Sequence, residues 1–156
     1  MKCTLMFIGK TDQEYLRNGI ANYEKRIQRY LPFRMVSIPG IRKSSISHEE
    51  IKKAEAALIL SRIRKEEYLV LLDESGDAMT SVGFSNFMQT KMTHDRRDLV
   101  FLIGGAYGFH QDLYRRADAL LSLSKMTFSH QLVRLLFLEQ LYRALTIIKG
   151  EPYHHG

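Results

Sequence analysis

The feature that most constrains this sequence is an alternation: short, β-rich apolar runs are separated by segments whose apolar residues recur at helical spacing. Lys2 to Ile8 and Phe33 to Ile38 are the first two runs, and between them Leu16, Ile20, Tyr23, Ile27 and Tyr30 mark one helix face. Pro39 and Gly40 close the second run. A basic polar loop, Arg42-Lys43-Ser44-Ser45, leads to Ser47-His48-Glu49-Glu50, where a serine precedes a glutamate by three residues as in a capping box and opens a second helix. Its spacing turns Ile51, Ala54, Leu58 and Ile63 toward the core. Tyr68 to Leu72 reads as a strand buried on both faces. Glu74-Ser75-Gly76-Asp77 reads as a turn by composition, and Thr80 or Ser81 as the cap of a third helix bearing Phe84, Phe87, Met88 and Met92. A buried strand at Leu99 to Ile103 ends in Gly104-Gly105-Ala106-Tyr107-Gly108, followed by a short helix from about His110 to Ala117 and a last apolar run, Ala119 to Leu123. The alternation predicts an α/β fold, a mainly parallel sheet with helices on both faces. Residues 1–156 show no repeat, low-complexity tract or linker and read as a single domain.

The last helix, from about His130 to Ile148, is apolar on more than one side: Leu132, Val133, Leu135, Leu136, Phe137, Leu138, Leu141, Leu145, Ile147 and Ile148. A helix apolar nearly all round is either central or shared with another subunit. At the end of a small domain the second choice is favoured, so a homodimer is expected.

Composition narrows the classes. Apolar residues at 45% and charged residues at 26% are the balance of a globular protein with a real core. The single cysteine, Cys3, lies in an apolar run; it excludes an intrachain disulfide and suits a reducing cytosol, so a cytoplasmic location is expected. Met1 to Ile8 lacks the apolar core and cleavage site of a signal peptide. The richest apolar segment, Leu132 to Ile148, is interrupted by Arg134, Glu139, Gln140 and Arg143, so no membrane span is expected. A net charge of +6 favours polyanions without dictating one.

The glycine segment 104–108 follows a buried strand, where glycines either make a tight turn or let backbone pass close to a ligand. It is not a G-x-G-x-x-G fingerprint, and Gly9-Lys10 after the first strand has no phosphate-cradling loop. Ligands in open α/β sheets bind beyond the carboxyl ends of strands, and three such ends converge on one candidate site: Leu72, Gly104 and the segment after Leu123. That segment, Leu123-Ser124-Lys125-Met126-Thr127-Phe128-Ser129-His130, mixes apolar groups able to sandwich a flat ring with polar groups able to bond its edge, as adenine recognition requires. Composition alone favours the plainer reading, a loop whose Leu, Met and Phe pack the core while Ser129 caps the last helix. The six histidines show no H-E-x-x-H or paired Cys/His spacing, so no metal is expected. His154 and His155 have the look of a tag remnant, although Glu151-Pro152-Tyr153 before them has no vector character. No G-x-S-x-G elbow occurs, and Cys3 sits in a strand, so a hydrolytic nucleophile is unsupported. Of the basic groups Arg42-Lys43, Lys52-Lys53, Arg62-Arg64-Lys65, Arg96-Arg97 and Arg115-Arg116, some are solvated helix faces; those on loops flanking the site, with Arg134 and Arg143, are placed to hold phosphates.

The runs Phe101-Leu102-Ile103-Gly104-Gly105-x-x-Gly108, Leu123-Ser124-Lys125-Met126-Thr127-Phe128-Ser129-His130-Gln131-Leu132-Val133-Arg134, Glu139-Gln140-Leu141-Tyr142-Arg143-Ala144 and Pro152-Tyr153-His154, in this order and spacing, resemble the RlmH family over the full length of the chain. These are small bacterial SPOUT-class methyltransferases that use S-adenosylmethionine to methylate a pseudouridine in large-subunit ribosomal RNA. The resemblance implies a C-terminal trefoil knot, an exception to the usual absence of knots, and a dimer that buries the last helix. It implies cofactor contacts at Leu72, Gly104, Leu123, Ser124, Lys125, Met126, Thr127 and Phe128. It puts the acceptor base near His130, Arg143, Tyr153 and His154, with the tail acting in its own or the partner subunit's site.

On that footing, Arg143 and Arg134 ease the developing imide anion or hold a phosphate, and His154 with Tyr153 positions or deprotonates the base. His130 is the other candidate base, or caps the helix. The alternatives are a SPOUT methyltransferase acting on another RNA, and a non-catalytic ribosome-associated protein that binds RNA through its basic face.

Overall fold

A computed structural model describes residues 1–41 and 45–156, so Arg42, Lys43 and Ser44 of the expected basic loop lie outside the described residues. The elements are β1 (Cys3–Ile8), α1 (Glu14–Ile27), β2 (Phe33–Ile38), α2 (His48–Leu60), β3 (Tyr68–Ala78), α3 (Ser81–Thr90) running into one π-helical turn (Lys91–Asp95), β4 (Leu99–Ile103), α4 (Gln111–Arg116), β5 (Ala119–Ser122) and α5 (Leu132–Lys149). All strand pairs are parallel, in the order β2-β1-β4-β3-β5. The α/β expectation with a parallel sheet is met.

Side-chain alternation along the strands builds two cores, one per sheet face. Cys3, Leu5 and Phe7 of β1, Val70 of β3, and Leu99, Phe101 and Ile103 of β4 meet Leu16 and Ile20 of α1, Phe84 and Met88 of α3, and Phe137, Leu138, Leu141 and Leu145 of α5. Met6, Ile8, Leu69, Leu71, Val100 and Leu102 point the other way, onto Ala56 and Ile59 of α2 and Leu113 of α4. The first core is aromatic at its centre, with the Phe101 and Phe137 rings 4.7 Å apart. Helix α5 lies between α1 and α3, packed on both. That explains much of its many-sided apolar character within one chain.

The caps follow local chemistry. Ser47 Oγ accepts the Glu50 N–H at 3.2 Å, Thr80 Oγ1 accepts the Gly83 N–H at 2.9 Å, and Gly150 ends α5 at φ 71°.

Two expectations need correction. On helix α2 the expected face is only partly right: Leu58, with Ile63 just beyond the helix, packs half-buried against the second core, Ile51 and Ala54 are half-buried, and the residues turned fully inward are Glu55, Ala56 and Ile59. The supposed turn at 74–77 is strand. β3 continues to Ala78, slipping register against β5 between Leu72 and Asp77. A bulged strand and a turn draw on the same Gly and Asp residues, so composition misassigns this one. Gly76 is required there, since a Cβ on it would lie 2.6 Å from the Leu120 carbonyl carbon.

Candidate active site

The register brings Ile8, Leu72, Ile103 and Ser122 to one edge of the sheet, the carboxyl edge where crossovers begin. A cleft of about 710 Å³ opens there, within the range of small-molecule sites. Its walls come from the three expected segments. Leu72 ends the regular part of β3 and Asp73, Glu74 and Ser75 follow it; Ile103 ends β4 and Gly104, Gly105, Ala106, Gly108 and Phe109 follow it; and Leu123, Ser124, Met126, Thr127, Phe128, Ser129 and His130 come after β5. Of the residues singled out for cofactor binding, Leu72, Gly104, Leu123, Ser124, Met126, Thr127 and Phe128 line this cleft together. Lys125 is exposed and outside the lining.

The glycine segment is both things the sequence allowed. It is a tight turn, with the Gly108 N–H donating to the Gly105 carbonyl at 3.2 Å and φ 82° at Gly108. It is also a wall of the cleft, close-packed from behind: a Cβ on Gly104 would stand 3.1 Å from the Phe109 ring, and one on Gly105 3.1 Å from the Glu55 carboxylate. That carboxylate is buried, which raises its pKa.

The 123–130 segment is likewise divided. Ser129 Oγ accepts the Leu132 N–H at 3.1 Å and so caps α5, which leaves His130 exposed at the cleft and not a cap. Leu123 packs against the core, whereas Met126 is 75% exposed. Ser124 Oγ accepts the Met126 N–H at 3.0 Å and folds the segment back on itself.

Sequence reasoning missed Asp73, Phe109 and Tyr114. The Tyr114 hydroxyl, from α4, donates to the Asp73 carboxylate, which also accepts the Ser75 N–H at 2.8 Å and the Ser75 hydroxyl. Burial alone would raise the Asp73 pKa, but these donors outweigh it and hold the carboxyl below its ordinary value. Burial, then the bond to Asp73, pushes the Tyr114 phenol up to about 12. The one available signal was the position of Asp73 directly after the strand end at Leu72; Tyr114 had none.

The other candidates gather elsewhere. Arg143 donates to Glu139 and faces His154 Nδ1 at 3.1 Å, and the Tyr153 hydroxyl donates to Glu139 at 3.2 Å and meets the Tyr23 hydroxyl at 3.2 Å. Burial, the Tyr23 bond and the Glu139 charge hold the Tyr153 phenol well above its ordinary pKa, so it is a donor rather than a base. Arg143 and cleft-lining Val133 are ten residues apart on α5, roughly 15 Å along its axis. Within one chain, Arg143, Tyr153 and His154 lie outside the cleft lining, while Glu139, which accepts from Arg143 and Tyr153, lines a neighbouring cavity that shares Leu123 and Phe128 with the cleft. Arg134 is not a phosphate ligand: it is fully buried, donating to the Ile8 carbonyl at 2.8 Å and Thr11 Oγ1 at 2.7 Å, with its guanidinium 4.2 Å from the Phe7 ring centre. Among the described residues, no group of three or more His, Cys, Asp or Glu could hold a metal ion, and no helix is long and apolar enough to cross a membrane.

Comparison with known proteins places the chain. A family described as predicted SPOUT methyltransferase matches residues 1–154. "Ribosomal RNA large subunit methyltransferase H" of Cytophaga hutchinsonii is 51% identical over 155 residues, covering 99% of this chain and all of that protein. The protein of the same name from Parabacteroides distasonis is 47% identical, with 99% of each covered. Among solved structures, the SpoU methyltransferase AviRb of Streptomyces viridochromogenes with AdoMet aligns at 15% identity over 96% of this chain and 58% of that one, with a TM-score of 0.47. The family match and full-length relatives agree with the resemblance read from the four motifs, and the chain belongs to the SPOUT methyltransferase family, among its ribosomal RNA large subunit methyltransferase H members.

Proposed function

We propose that this protein uses S-adenosylmethionine to methylate the imide nitrogen, N3, of a pseudouridine in large-subunit ribosomal RNA, working on the assembled ribosome as a cytoplasmic homodimer. The observation that carries the reading is the convergence of Leu72, Gly104 and the 123–128 segment on one cleft in a chain whose full-length relatives are named for this class of reaction. The cleft fits the cofactor by chemistry: apolar Leu72, Phe109, Leu123 and Phe128 suit a purine, while Ser124, Thr127 and the glycine backbone suit its polar edge and ribose. The resemblance implies a trefoil-knot threading here, and the 123–130 segment lining one cleft with the segments after β3 and β4 is compatible with it.

S-adenosylmethionine supplies an electrophilic methyl on a sulfonium, whose departure leaves a neutral thioether and needs no metal. The protein must hold the acceptor nitrogen in line and remove its proton. His130, exposed at the cleft, is one base; His154, faced by Arg143, is the other. Tyr153, protonated, positions by donating, and the Arg143 guanidinium offsets charge developing on the imide. The absence of Arg143, Tyr153 and His154 from the residues lining the cleft favours a tail that serves the partner's site. A monomer would then hold the cofactor without completing the reaction.

The test is incubation with labelled S-adenosylmethionine and ribosomes from cells lacking this gene, with the methyl group mapped by nuclease digestion and mass spectrometry. Label on one large-subunit pseudouridine is expected. Label on another RNA refutes the substrate, and cofactor binding with no label on ribosomes or free RNA refutes the acceptor assignment.

A further inference from the structure

The cleft is electrically unlike the rest of the molecule. The chain carries a net charge of +6, yet among the described residues lining the cleft the charged side chains are Asp73 and Glu74, with no lysine or arginine. The two differ in how they are held. Glu74 is exposed, whereas Asp73 is half-buried and fixed from both sides, by the Ser75 N–H and hydroxyl on one carboxylate oxygen and by the Tyr114 hydroxyl on the other. Those donors keep Asp73 ionised at neutral pH. Burial of the carboxylate works against its charge, and the three donors outweigh that penalty, the Tyr114 hydroxyl reaching in from an otherwise exposed ring. The result is one negative charge set rigidly on the wall of a partly enclosed site.

The proposed reaction changes ligand charge by one unit. S-adenosylmethionine carries a sulfonium; after the methyl leaves without its bonding pair, that pair stays on sulfur, the sulfur becomes a neutral thioether, and the proton displaced from the acceptor nitrogen passes to a base. The amino acid and nucleoside parts are otherwise identical. We propose that Asp73, clamped by Ser75 and Tyr114 and assisted by Glu74, is a specificity-determining residue that makes the cleft prefer the cationic cofactor over its neutral product, so that transfer itself loosens the spent ligand. The inference rests on the cofactor reading of the cleft given above. One unit of charge attraction in a partly wet site is worth on the order of tenfold in affinity.

The test measures dissociation constants of S-adenosylmethionine and S-adenosylhomocysteine by titration calorimetry, on the full-length protein and on Asp73→Asn, Glu74→Gln and Tyr114→Phe. Wild type is expected to favour the cation by about tenfold. Asp73→Asn should bring the ratio close to one by weakening the cation alone, the neutral ligand staying within about twofold. Glu74→Gln, at an exposed position with no fold to break, should lower the ratio in the same direction and by less. Tyr114→Phe keeps the charge and should keep most of the preference. A wild-type ratio near one, equal weakening of both ligands in Asp73→Asn, or an unchanged ratio in both carboxylate variants overturns the proposal. Failure of wild type to bind either ligand refutes the cofactor reading, and this inference with it.

Discussion

Gly76 is where a single methyl group should do the most damage. A Cβ on this residue would lie 2.6 Å from the Leu120 carbonyl carbon and 2.7 Å from both the Leu120 oxygen and the Leu121 nitrogen. Ordinary contact begins near 3.4 Å, so β3 and β5 must part by about 0.8 Å, and the obstructing atoms are backbone rather than a side chain able to swing away. Overpacking of this kind costs about 1–3 kcal/mol, and the rigidity of both partners puts Gly76→Ala at the upper end, about 3 kcal/mol. For a domain of this size each kcal/mol moves the melting temperature by about 2–4 °C, which gives a fall of about 6–12 °C by calorimetry or circular dichroism. Ser75→Ala, next door, loses the hydroxyl's bond to Asp73 but meets no clash and should fall by less than about 3 °C. The displaced β5 feeds the 123–130 segment, so cofactor affinity should drop with Gly76→Ala as well. A variant melting within 2 °C of wild type would refute the account of this bulge as a forced close approach.

Phe128 lines both the cofactor cleft and the neighbouring cavity that contains Glu139; Phe128→Ala should weaken S-adenosylmethionine by about tenfold or more in calorimetry, and unchanged affinity would remove it from the site. If the tail acts in trans, mixing equal amounts of a cofactor-defective Phe128→Ala chain and a His154→Ala chain should restore about a quarter of wild-type turnover, since half the random dimers regain one of two sites; no recovery on mixing means the tail acts in its own subunit. His154→Ala alone should cut turnover well beyond its effect on cofactor affinity, and equal losses in both would end its assigned role. Asp98 accepts the Lys2 N–H at 2.8 Å and pairs with Arg64, and these hold its carboxyl below the usual range. Its stabilising effect is therefore complete above about pH 4 and lost as pH falls through the lowered folded-state value, so Asp98→Asn should flatten the acid limb of a plot of melting temperature against pH; an identical limb would show that the pair contributes nothing.

What the sequence disclosed, and what it withheld, divides by range of interaction. Leu72, Gly104 and Leu123 could be grouped because parallel strands share a carboxyl edge, a rule that needs only the strand assignments. Asp73 and Tyr114 could not, because their contact spans 41 residues and joins a strand end to a short helix with no periodic signal of its own. Residues 74–77 were misassigned because a bulge and a turn use the same amino acids. Arg134 looked like a phosphate ligand because its charge was legible while its burial was not: only the docking of α5 between α1 and α3 turns that side chain inward, onto Phe7 and the Ile8 carbonyl. The inner face of α2 was only partly legible for a related reason: Leu58 and Ile63 were placed by their apolar spacing, whereas Glu55, buried beside Gly105, breaks any apolar pattern.

The position of α5 also sets the order in which this protein can become whole. The bond from Arg134 to the Ile8 carbonyl joins residues 126 apart in sequence, and Gln131 donates to Asp12 across 119. β1, met on one face by Leu16 and Ile20 of α1, therefore waits for α5 before that face is fully covered, and until then Phe84, Phe101 and Ile103 have no Phe137 or Leu141 to meet. At about 5–20 residues per second, that leaves a nascent chain with an open aromatic surface for several seconds. Pairing so distant in sequence makes folding slow once synthesis ends. A protein of this design is exposed to aggregation chiefly while it is being made, and a premature stop between β5 and α5 leaves a chain that has all five strands but no α5 to close their aromatic face.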